Sequence, residues 1–350
     1  MADARTRWMG SALALGVAVT LALMVVAAEL WILPALTGLP REVYLMGFAA
    51  RAEEVPEEPV NPMGFTGVVP TRERPDGTVR VLTLGGSVLF NRRVTERLQD
   101  RLERSASGRV EVVGAALRSH TTWSSVLKYG LLAEHGFDYV LICHGINDLY
   151  ANHVAREDFR DDYSHLEPWY RRGWLLDRSI VARVLYNELV WRRPGRVQNG
   201  AGMASADVFS RNLTGLVREV RSDGGTPILV SFPWWIPPDY THERFMNGEL
   251  AYNNPERYDY CPVKLWGQVR YVRRGLAQHN LAIRAVARTE KVPLIDAERA
   301  LRDDPALFGD VCHPSEMGTE ILVDLIGDFF ERRGRLDPDP ASRGAAPGKL

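Results

Sequence analysis

Residues 79–87, Val-Arg-Val-Leu-Thr-Leu-Gly-Gly-Ser, combine a β-branched, largely apolar run with two glycines and a serine. Such a short run is typical of a buried strand. Gly85 and Gly86 then allow a sharp turn, which leaves the side chain of Ser87 exposed at the carboxyl edge of a sheet. Because open α/β sheets carry their chemistry at this edge, Ser87 is a candidate nucleophile. A plain strand-to-helix turn has the same composition, so the assignment depends on the rest of the chain.

The remainder of the core alternates between strand-like and helix-like patterns. Short apolar runs rich in Val or Ile predict four more strands, at residues 110–113, 139–143, 227–232 and 292–295. Helical periodicity lies between them, around Leu98, Leu213 and Leu325. The alternation predicts an α/β fold, a three-layer α/β/α sandwich with a parallel five-stranded sheet covered by helices on both faces.

Composition places the chain among ordinary globular proteins. It has 350 residues, of which 45% are hydrophobic and 25% are charged, and its formal net charge is −1. This charge gives no basic footprint, so we expect no nucleic-acid partner. The three cysteines, Cys143, Cys261 and Cys312, form neither a disulfide framework nor a zinc-ligand pattern. One bridge with a free thiol and three free thiols both remain open.

The N-terminus departs from globular composition. Residues 8–28 contain no charge, and a helix that spans a bilayer needs roughly 20 apolar residues. A cleaved signal peptide is the alternative, with Arg5 and Arg7 as its basic region and residues 26–28 as its cleavage site. The apolar stretch exceeds the usual ~7–15 residues of the apolar region of a signal peptide, so we expect an uncleaved anchor. The weak excess of basic residues before it predicts a cytoplasmic N-terminus and an extracytoplasmic main domain.

These patterns divide the chain into four parts. Residues 1–40 are expected to form a cytoplasmic tip and transmembrane anchor, and residues 41–78 a juxtamembrane linker rich in Pro, Glu and Gly. Residues 79–331 form the main domain, with an insertion at 150–206. Residues 332–350 lack periodicity and predict a disordered tail.

Polar side chains follow several predicted strands. Ser87 follows the first strand, and residues 145–148, Gly-Ile-Asn-Asp, follow the third. Residues 310–313, Asp-Val-Cys-His, precede the last helix, whose start is marked by Pro314 and Ser315. The order Ser, Asn, Asp, His resembles the SGNH (GDSL-like) hydrolase superfamily. The resemblance implies a flavodoxin-like sandwich and ester hydrolysis.

The Gly-Gly-Ser run and one further segment are similar to a membrane-anchored bacterial subgroup of that superfamily, in which Gly-Gly-Ser replaces Gly-Asp-Ser. Residues 61–67, Asn-Pro-Met-Gly-Phe-Thr-Gly, match an Asn-x-x-Gly-Phe-x-Gly motif. Residues 112–122 place Ser119 where the family keeps an oxyanion glycine. If this position requires a positive φ, serine there costs about 1 kcal/mol or more.

Each candidate residue has a chemical reason for its role. His313 can take the proton of Ser87 and return it to the leaving alkoxide, while Asp310 fixes the imidazole tautomer. The resemblance implies three oxyanion donors, namely the N–H groups of Ser87 and Ser119 and the amide of Asn147. No metal and no cofactor are implied.

Nearby residues suggest a substrate wall and argue against an ordinary α/β-hydrolase fold. Trp234 and Trp235 follow the fourth strand, and His120 directly follows Ser119. All three are therefore tentative substrate-binding residues. Packing of the insertion, or a place at the membrane interface, is the alternative for the aromatic residues. Asp148 is expected to brace its loop. Leu89 occupies the position where the nucleophile elbow of an ordinary α/β hydrolase requires glycine, so the sequence argues against that fold.

The sequence therefore predicts a membrane-anchored, extracytoplasmic serine esterase that works through an acyl-enzyme. An acyl ester of the cell envelope, on a carbohydrate or a lipid, is the expected substrate class. An acyltransferase that uses the same acyl-enzyme is one alternative. A non-catalytic envelope binding protein is another, if Ser119 disables the oxyanion hole.

Overall fold

The structure is a computed structural model that describes residues 16–17, 19–21, 23–28, 60–61, 64–197, 201–253, 268–302 and 304–332. The strands in this part are β1 Thr66–Gly67, β2 Thr78–Gly85, β3 Arg109–Gly114, β4 Tyr139–Cys143, β5 Thr226–Val230 and β6 Leu294–Ile295. The α-helices that follow β1 are α1 Ser87–Phe90, α2 Val94–Glu103, α3 Thr122–Leu132, α4 Ile146–Tyr150, α5 Ile180–Leu185, α6 Ser205–Ser222, α7 His242–Met246, α8 Val269–Thr289, α9 Ala297–Leu301 and α10 Glu316–Arg332. Short 3₁₀ turns cover Asn91–Arg93, Ala133–His135, Pro168–Tyr170 and Pro305–Leu307, and a π-helical turn covers Tyr186–Val190.

The strands form one mixed sheet in the order β1-β3-β2-β4-β5-β6. Strands β2 to β6 are parallel, as the sequence predicts, whereas β1 pairs antiparallel with β3 through Thr66 and Gly114. The prediction of five parallel strands is therefore wrong at this edge. A strand of two residues is too short to give a periodic pattern, and β1 lies within the segment that was expected to be a linker.

The order of the parallel strands decides where a site can form. The order β3-β2-β4-β5-β6 is the flavodoxin-like arrangement, in which the chain reverses direction across the sheet between β2 and β4. Ligands of such sheets bind outside the carboxyl ends of the strands at this reversal point. Ser87 follows β2 and Asn147 lies just after β4, so the fold places both beside the expected crevice.

Amphipathic helices bury the sheet. Helix α2 packs with α10, and α6 packs with both α3 and α8. Every residue of β2 is buried, which agrees with a central strand covered on both faces. Near the amino end of β2, Arg80 is fully buried and donates from Nε to Oε2 of Glu111 at 2.9 Å.

The predicted terminal segments fall largely outside the described residues. Residues 1–15 and 29–59 of the predicted anchor and linker and residues 333–350 of the predicted tail are in this category. Within the described residues, including the helical positions between 16 and 28, no helix combines the length and the apolar character needed to span a membrane.

Gly114, at the end of β3, provides a test of how β1 is held. A Cβ atom on Gly114 would overlap the hydroxyl groups of Thr66 and Thr95, which hydrogen-bond to each other at 2.7 Å. We expect Gly114→Ala to lower the free energy of unfolding by about 1–3 kcal/mol through overpacking.

Gly130 on α3 is the matched control, because a Cβ atom there would meet nothing within 4 Å. We expect Gly130→Ala to raise the free energy of unfolding by about 0.5–1 kcal/mol, as alanine favours the helix. Urea denaturation of both variants measures the difference, and equal effects would contradict the packing described for β1.

Candidate active site

Ser87 lies at the first position of α1, directly after β2. Its side chain is nearly buried, with 8% of the residue exposed. A Cβ atom on Gly85 would lie 2.7 Å from the carbonyl oxygen of Cys143, and one on Gly86 would lie 2.6 Å from Nδ2 of Asn147. Both glycines are therefore required by the close approach of the β4 end, and this approach brings Asn147 next to the serine turn.

A continuous chain of hydrogen bonds joins the three predicted catalytic side chains. The distance from Ser87 Oγ to His313 Nε2 is 2.7 Å, and from His313 Nδ1 to Asp310 Oδ2 it is 2.6 Å. Ser87 and His313 are 226 positions apart in the chain, so the fold alone creates this contact. The geometry suits proton transfer from the hydroxyl to the imidazole.

Asp310 is completely buried and accepts hydrogen bonds from the backbone N–H groups of Cys312 and His313, both at 2.9 Å. Burial alone would raise the pKa of Asp310, but the charge of His313 and these hydrogen bonds outweigh it and leave the pKa below its usual value. The carboxylate is therefore ionised and can hold His313 in one tautomer.

The loop that carries His313 is anchored from two sides. Arg92, just after α1, donates from Nε to the carbonyl oxygen of Pro314 at 3.0 Å. Trp235, after β5, donates its backbone N–H to the carbonyl oxygen of Val311 at 3.0 Å. These bonds link the histidine loop to the segment that follows Ser87 and to the neighbouring strand.

The predicted oxyanion segment, residues 115–119 between β3 and α3, lies against the serine turn. The N–H of Leu117 bonds to the carbonyl oxygen of Gly85 at 3.2 Å, and Nδ2 of Asn147 donates to the carbonyl oxygen of His120 at 2.9 Å. Ser119 lies between these two contacts, is exposed and has a φ of +63°. The structure therefore brings Ser119 and Asn147 to the border of the Ser87 turn, and Ser119 has the left-handed conformation that favours glycine.

Asp148 stabilises the same region by binding Thr122, the first residue of α3. It is fully buried and accepts the backbone N–H of Thr122 at 3.1 Å and the Thr122 hydroxyl at 2.5 Å. Asn212 on α6 adds a bond to the same hydroxyl at 3.1 Å. Burial raises the pKa of Asp148 to about 7, although the bonds from Thr122 act in the opposite direction.

Lys128 on α3 is a buried residue that sequence reasoning missed. Its Nζ donates to the carbonyl oxygen of Ala115, at the start of the oxyanion segment. Burial lowers its pKa to about 7. His144 lies nearby, bonds to Ser125 Oγ at 2.7 Å, and has its pKa lowered to about 3 by burial and by Lys128. The sequence did contain a signal for the burial of Lys128, because this residue lies four positions before Leu132 on the buried face of α3.

The insertion packs over the oxyanion segment. The ring of Trp169 lies 5.6 Å from that of His120 and 4.1 Å from that of Tyr170, and the Tyr170 hydroxyl bonds to Ser124 Oγ at 2.7 Å. Burial, followed by the charges of Lys128 and His144, holds the pKa of His120 well below its usual value. His120 is thus a neutral side chain beside the oxyanion segment.

Trp234 and Trp235 are half-buried and pack against the loops around the site. Trp234 donates from Nε1 to Oε1 of Glu298 at 3.1 Å, and the ring of Trp235 lies 5.0 Å from that of Tyr252. These contacts show a packing role for both residues. Their predicted role as a substrate wall remains a prediction.

The cysteines add no cross-link among the described residues. Cys143 and Cys312 are buried free thiols, and Cys261 lies outside the described residues. Ligand atoms of Asp310, Cys312 and His313 lie within 4.8 Å of one another, a spacing that a metal ion could bridge. Asp310 and His313 are already bonded to each other, and burial raises the pKa of Cys312 well above its usual value. A protonated thiol is a poor metal ligand.

A flavodoxin-like sheet that carries Ser87, Asn147 and His313 at its carboxyl edge, with Asp310 hydrogen-bonded to His313, is the arrangement expected of an SGNH (GDSL-like) hydrolase. The family model described as "GDSL-like Lipase/Acylhydrolase family" matches residues 82–321. The chain belongs to this family and is a hydrolase acting on ester bonds.

Solved structures of similar proteins were also found. A lipase/acylhydrolase from Enterococcus faecalis is 15% identical, with 73% of this chain and 96% of that chain covered and a TM-score of 0.40. A GDSL-like lipase from Bacteroides thetaiotaomicron is 14% identical, with coverages of 73% and 88% and a TM-score of 0.40. An acetylxylan esterase from Geobacillus stearothermophilus is 14% identical, with coverages of 71% and 92% and a TM-score of 0.40. A search of curated proteins gave no match.

The conformation of Ser119 leads to a prediction about the oxyanion segment. Glycine adopts a φ of +63° without a Cβ clash, so we expect Ser119→Gly to raise the free energy of unfolding by up to about 1 kcal/mol and to leave kcat/KM at least as high. Ser119→Ala keeps the backbone cost and serves as the control for loss of the hydroxyl. Ester hydrolysis and urea denaturation measure both effects. A lower kcat/KM in Ser119→Gly alone would show that backbone strain does not limit this segment.

The buried amine of Lys128 predicts a pH-dependent stability. Because its pKa is about 7 in the folded state and ~10.4 when unfolded, the unfolded state holds the extra proton between these values. Stability should therefore rise with pH across this window, by up to ~1.4 kcal/mol per pH unit, and the penalty of protonation should be fully present below pH ~7.

Lys128→Met removes this titration, so the difference in unfolding free energy between wild type and variant should change between pH 7 and 10. Urea denaturation at several pH values gives the difference directly. Parallel profiles for the two proteins would contradict the assignment.

Proposed function

We propose that the chain is a serine esterase in which Ser87, His313 and Asp310 form the catalytic triad. The single observation that supports this most strongly is the hydrogen-bonded path from Ser87 Oγ through His313 to Asp310, with distances of 2.7 and 2.6 Å. A serine hydroxyl needs such a base to become nucleophilic at neutral pH.

The reaction follows from these contacts. His313 Nε2 takes the proton of Ser87 as Oγ bonds to the acyl carbon, and the collapse of the tetrahedral intermediate breaks the ester C–O bond. His313 then gives the proton to the departing alkoxide. Water attacks the acyl-enzyme while His313 accepts its proton, and the return of that proton to Ser87 Oγ releases the acid.

The developing oxyanion requires donors that are already in place. We assign this role to the N–H groups of Ser87 and Ser119 and to the Asn147 amide. The Asn147 amide uses one hydrogen for the carbonyl oxygen of His120 and has a second for the oxyanion. For the N–H of Ser119, no acceptor is found within the described residues.

The substrate class that we propose follows from a proposed location. We propose that the uncharged run of residues 8–28 forms an N-terminal anchor, and that the weak excess of basic residues before it leaves the main domain outside the cytoplasm. A hydrolase held there meets acyl esters of cell-envelope carbohydrates and lipids, and we propose these as substrates. The anchor is tested by alkaline washing of membranes that contain the full chain, since release of the protein into the wash would argue for a cleaved leader.

The catalytic assignment is tested with the detergent-solubilised full chain and p-nitrophenyl esters of increasing acyl length. We expect Ser87→Ala and His313→Ala each to lower kcat more than ~10³-fold, and Asn147→Ala to lower it by ~10²–10³. The exposed residues Ser222 and His242 provide matched controls, Ser222→Ala and His242→Ala, which should retain wild-type rates.

The same assay separates the alternatives. Equal rates for wild type, Ser87→Ala and His313→Ala would disprove the triad. Ligand binding that survives Ser87→Ala in a protein without turnover would favour a binding protein. An acyl product transferred to an added sugar hydroxyl, at the expense of free acid, would favour an acyltransferase.

A further inference from the structure

Arg118 directly precedes Ser119, the proposed oxyanion donor. Its side chain is exposed, while Leu117 on its other side is buried and bonded to the end of β2. The charge of Arg118 is therefore at the solvent-facing rim of the segment that borders the Ser87 turn.

The guanidinium group is held in place by the residues that follow the nucleophile. Arg118 Nε donates to Oδ1 of Asn91 at 2.8 Å, and its Cζ lies 5.7 Å from the ring centroid of Phe90. Phe90 is the last residue of α1, which begins at Ser87. Asn91 is about one helical turn beyond Ser87, or ~6 Å along the axis. A cation fixed in this way stays near the serine.

The charge of Arg118 has no counterion within the described residues. Neighbouring arginines do have one, since Arg92 and Arg97 both pair with Glu316. Asp148 and Asp310, which adjoin Asn147 and bond to His313 respectively, are buried and already hydrogen-bonded to Thr122 and His313. Among the residues that the structure describes, no carboxylate pairs with the positive charge of Arg118 at the rim of the site.

We propose that Arg118 binds an anionic group of the substrate, a carboxylate or a phosphate, close to the ester that is cleaved. This inference rests on the proposed esterase function and narrows its substrate class to acidic esters. Arginine is suited to the task because its planar fork of N–H donors matches both anions. The hydrogen bond to Asn91 orders the side chain before substrate arrives, which lowers the entropy cost of binding.

The experiment compares two pairs of acetyl esters that differ in one anionic group. The first pair is an O-acetylated methyl glucuronoside and the corresponding methyl glucoside, which tests a carboxylate. The second pair is acetylglycerol phosphate and acetylglycerol, which tests a phosphate. Acetate release by the full chain gives kcat/KM for each ester, and the ratio of anionic to neutral ester is the measured quantity.

We expect wild type to prefer the anionic member of at least one pair, and Arg118→Gln to reduce that ratio about 5- to 30-fold. Arg118→Lys keeps the charge but lacks the planar guanidinium group, so its ratio should lie between those of wild type and Arg118→Gln. The preference should also weaken as salt is raised, because the site is open to solvent. Arg109→Gln is the matched control, since Arg109 is an exposed arginine at the opposite end of β3.

Two results would overturn the proposal. One is a wild-type ratio near unity in both pairs, and the other is an Arg118→Gln ratio equal to that of wild type. Failure of the esterase function itself would look different, as acetate release would persist in Ser87→Ala or be absent for all four esters. In that case calorimetry gives the affinity of the Ser87→Ala protein for each intact ester, and the ratio of anionic to neutral ester is taken from these affinities. This measurement does not depend on turnover.

Discussion

The bond between the buried Asp148 carboxylate and Thr122 is the contact on which the candidate site depends. Asp148 adjoins Asn147 after β4, and Thr122 starts the helix that follows the oxyanion segment after β3. This bond fixes the distance between two loops from different strands, together with the bond from Asn147 Nδ2 to the carbonyl oxygen of His120. The parallel sheet brings the loops to one edge, and these two bonds set the position of the Asn147 amide relative to the Ser119 N–H.

The site concentrates features that cost folding free energy. Ser119, Arg92 and Arg93 all have positive φ, and Lys128 and Asp148 are buried ionisable groups. Such costs persist only where the surroundings determine the structure, and here the surroundings are a fully buried central strand and two groups of packed helices. The same regions determine how Ser87, His313 and the proposed oxyanion donors are arranged. The concentration of strain next to the serine therefore agrees with a catalytic role for this edge.

Much of this architecture could be predicted from local patterns. The strand at Tyr139–Cys143 matches its predicted bounds, and the other parallel strands differ from theirs by one or two residues. The predicted association of Ser87, Asn147, Asp310 and His313 followed from two sources. One is the rule that parallel strands carry chemistry at their carboxyl ends, and the other is the resemblance to the SGNH superfamily.

Other features depend on contacts that periodicity does not report. The two-residue strand β1 exists because Gly114 allows Thr66 to approach. Helix α8 is a different case, because its apolar residues do recur at helical spacing and the helix could have been predicted. Nothing in the sequence near Arg92 and Arg93 predicts two consecutive left-handed residues, since their conformation follows from the links between α1, α2 and the histidine loop. Lys128, which is buried below the oxyanion segment, was missed as well, because a lysine is normally solvated.

The thiol of Cys312 has a consequence for observing motion in this protein. It lies between Asp310 and His313, is fully buried, and has its Sγ 3.8 Å from His313 Nδ1. An alkylating reagent can reach it only when the loop that carries the histidine opens. Cys143, in the central sheet, requires a much larger opening. The difference between their labelling rates would therefore time the opening of the histidine loop separately from unfolding of the domain.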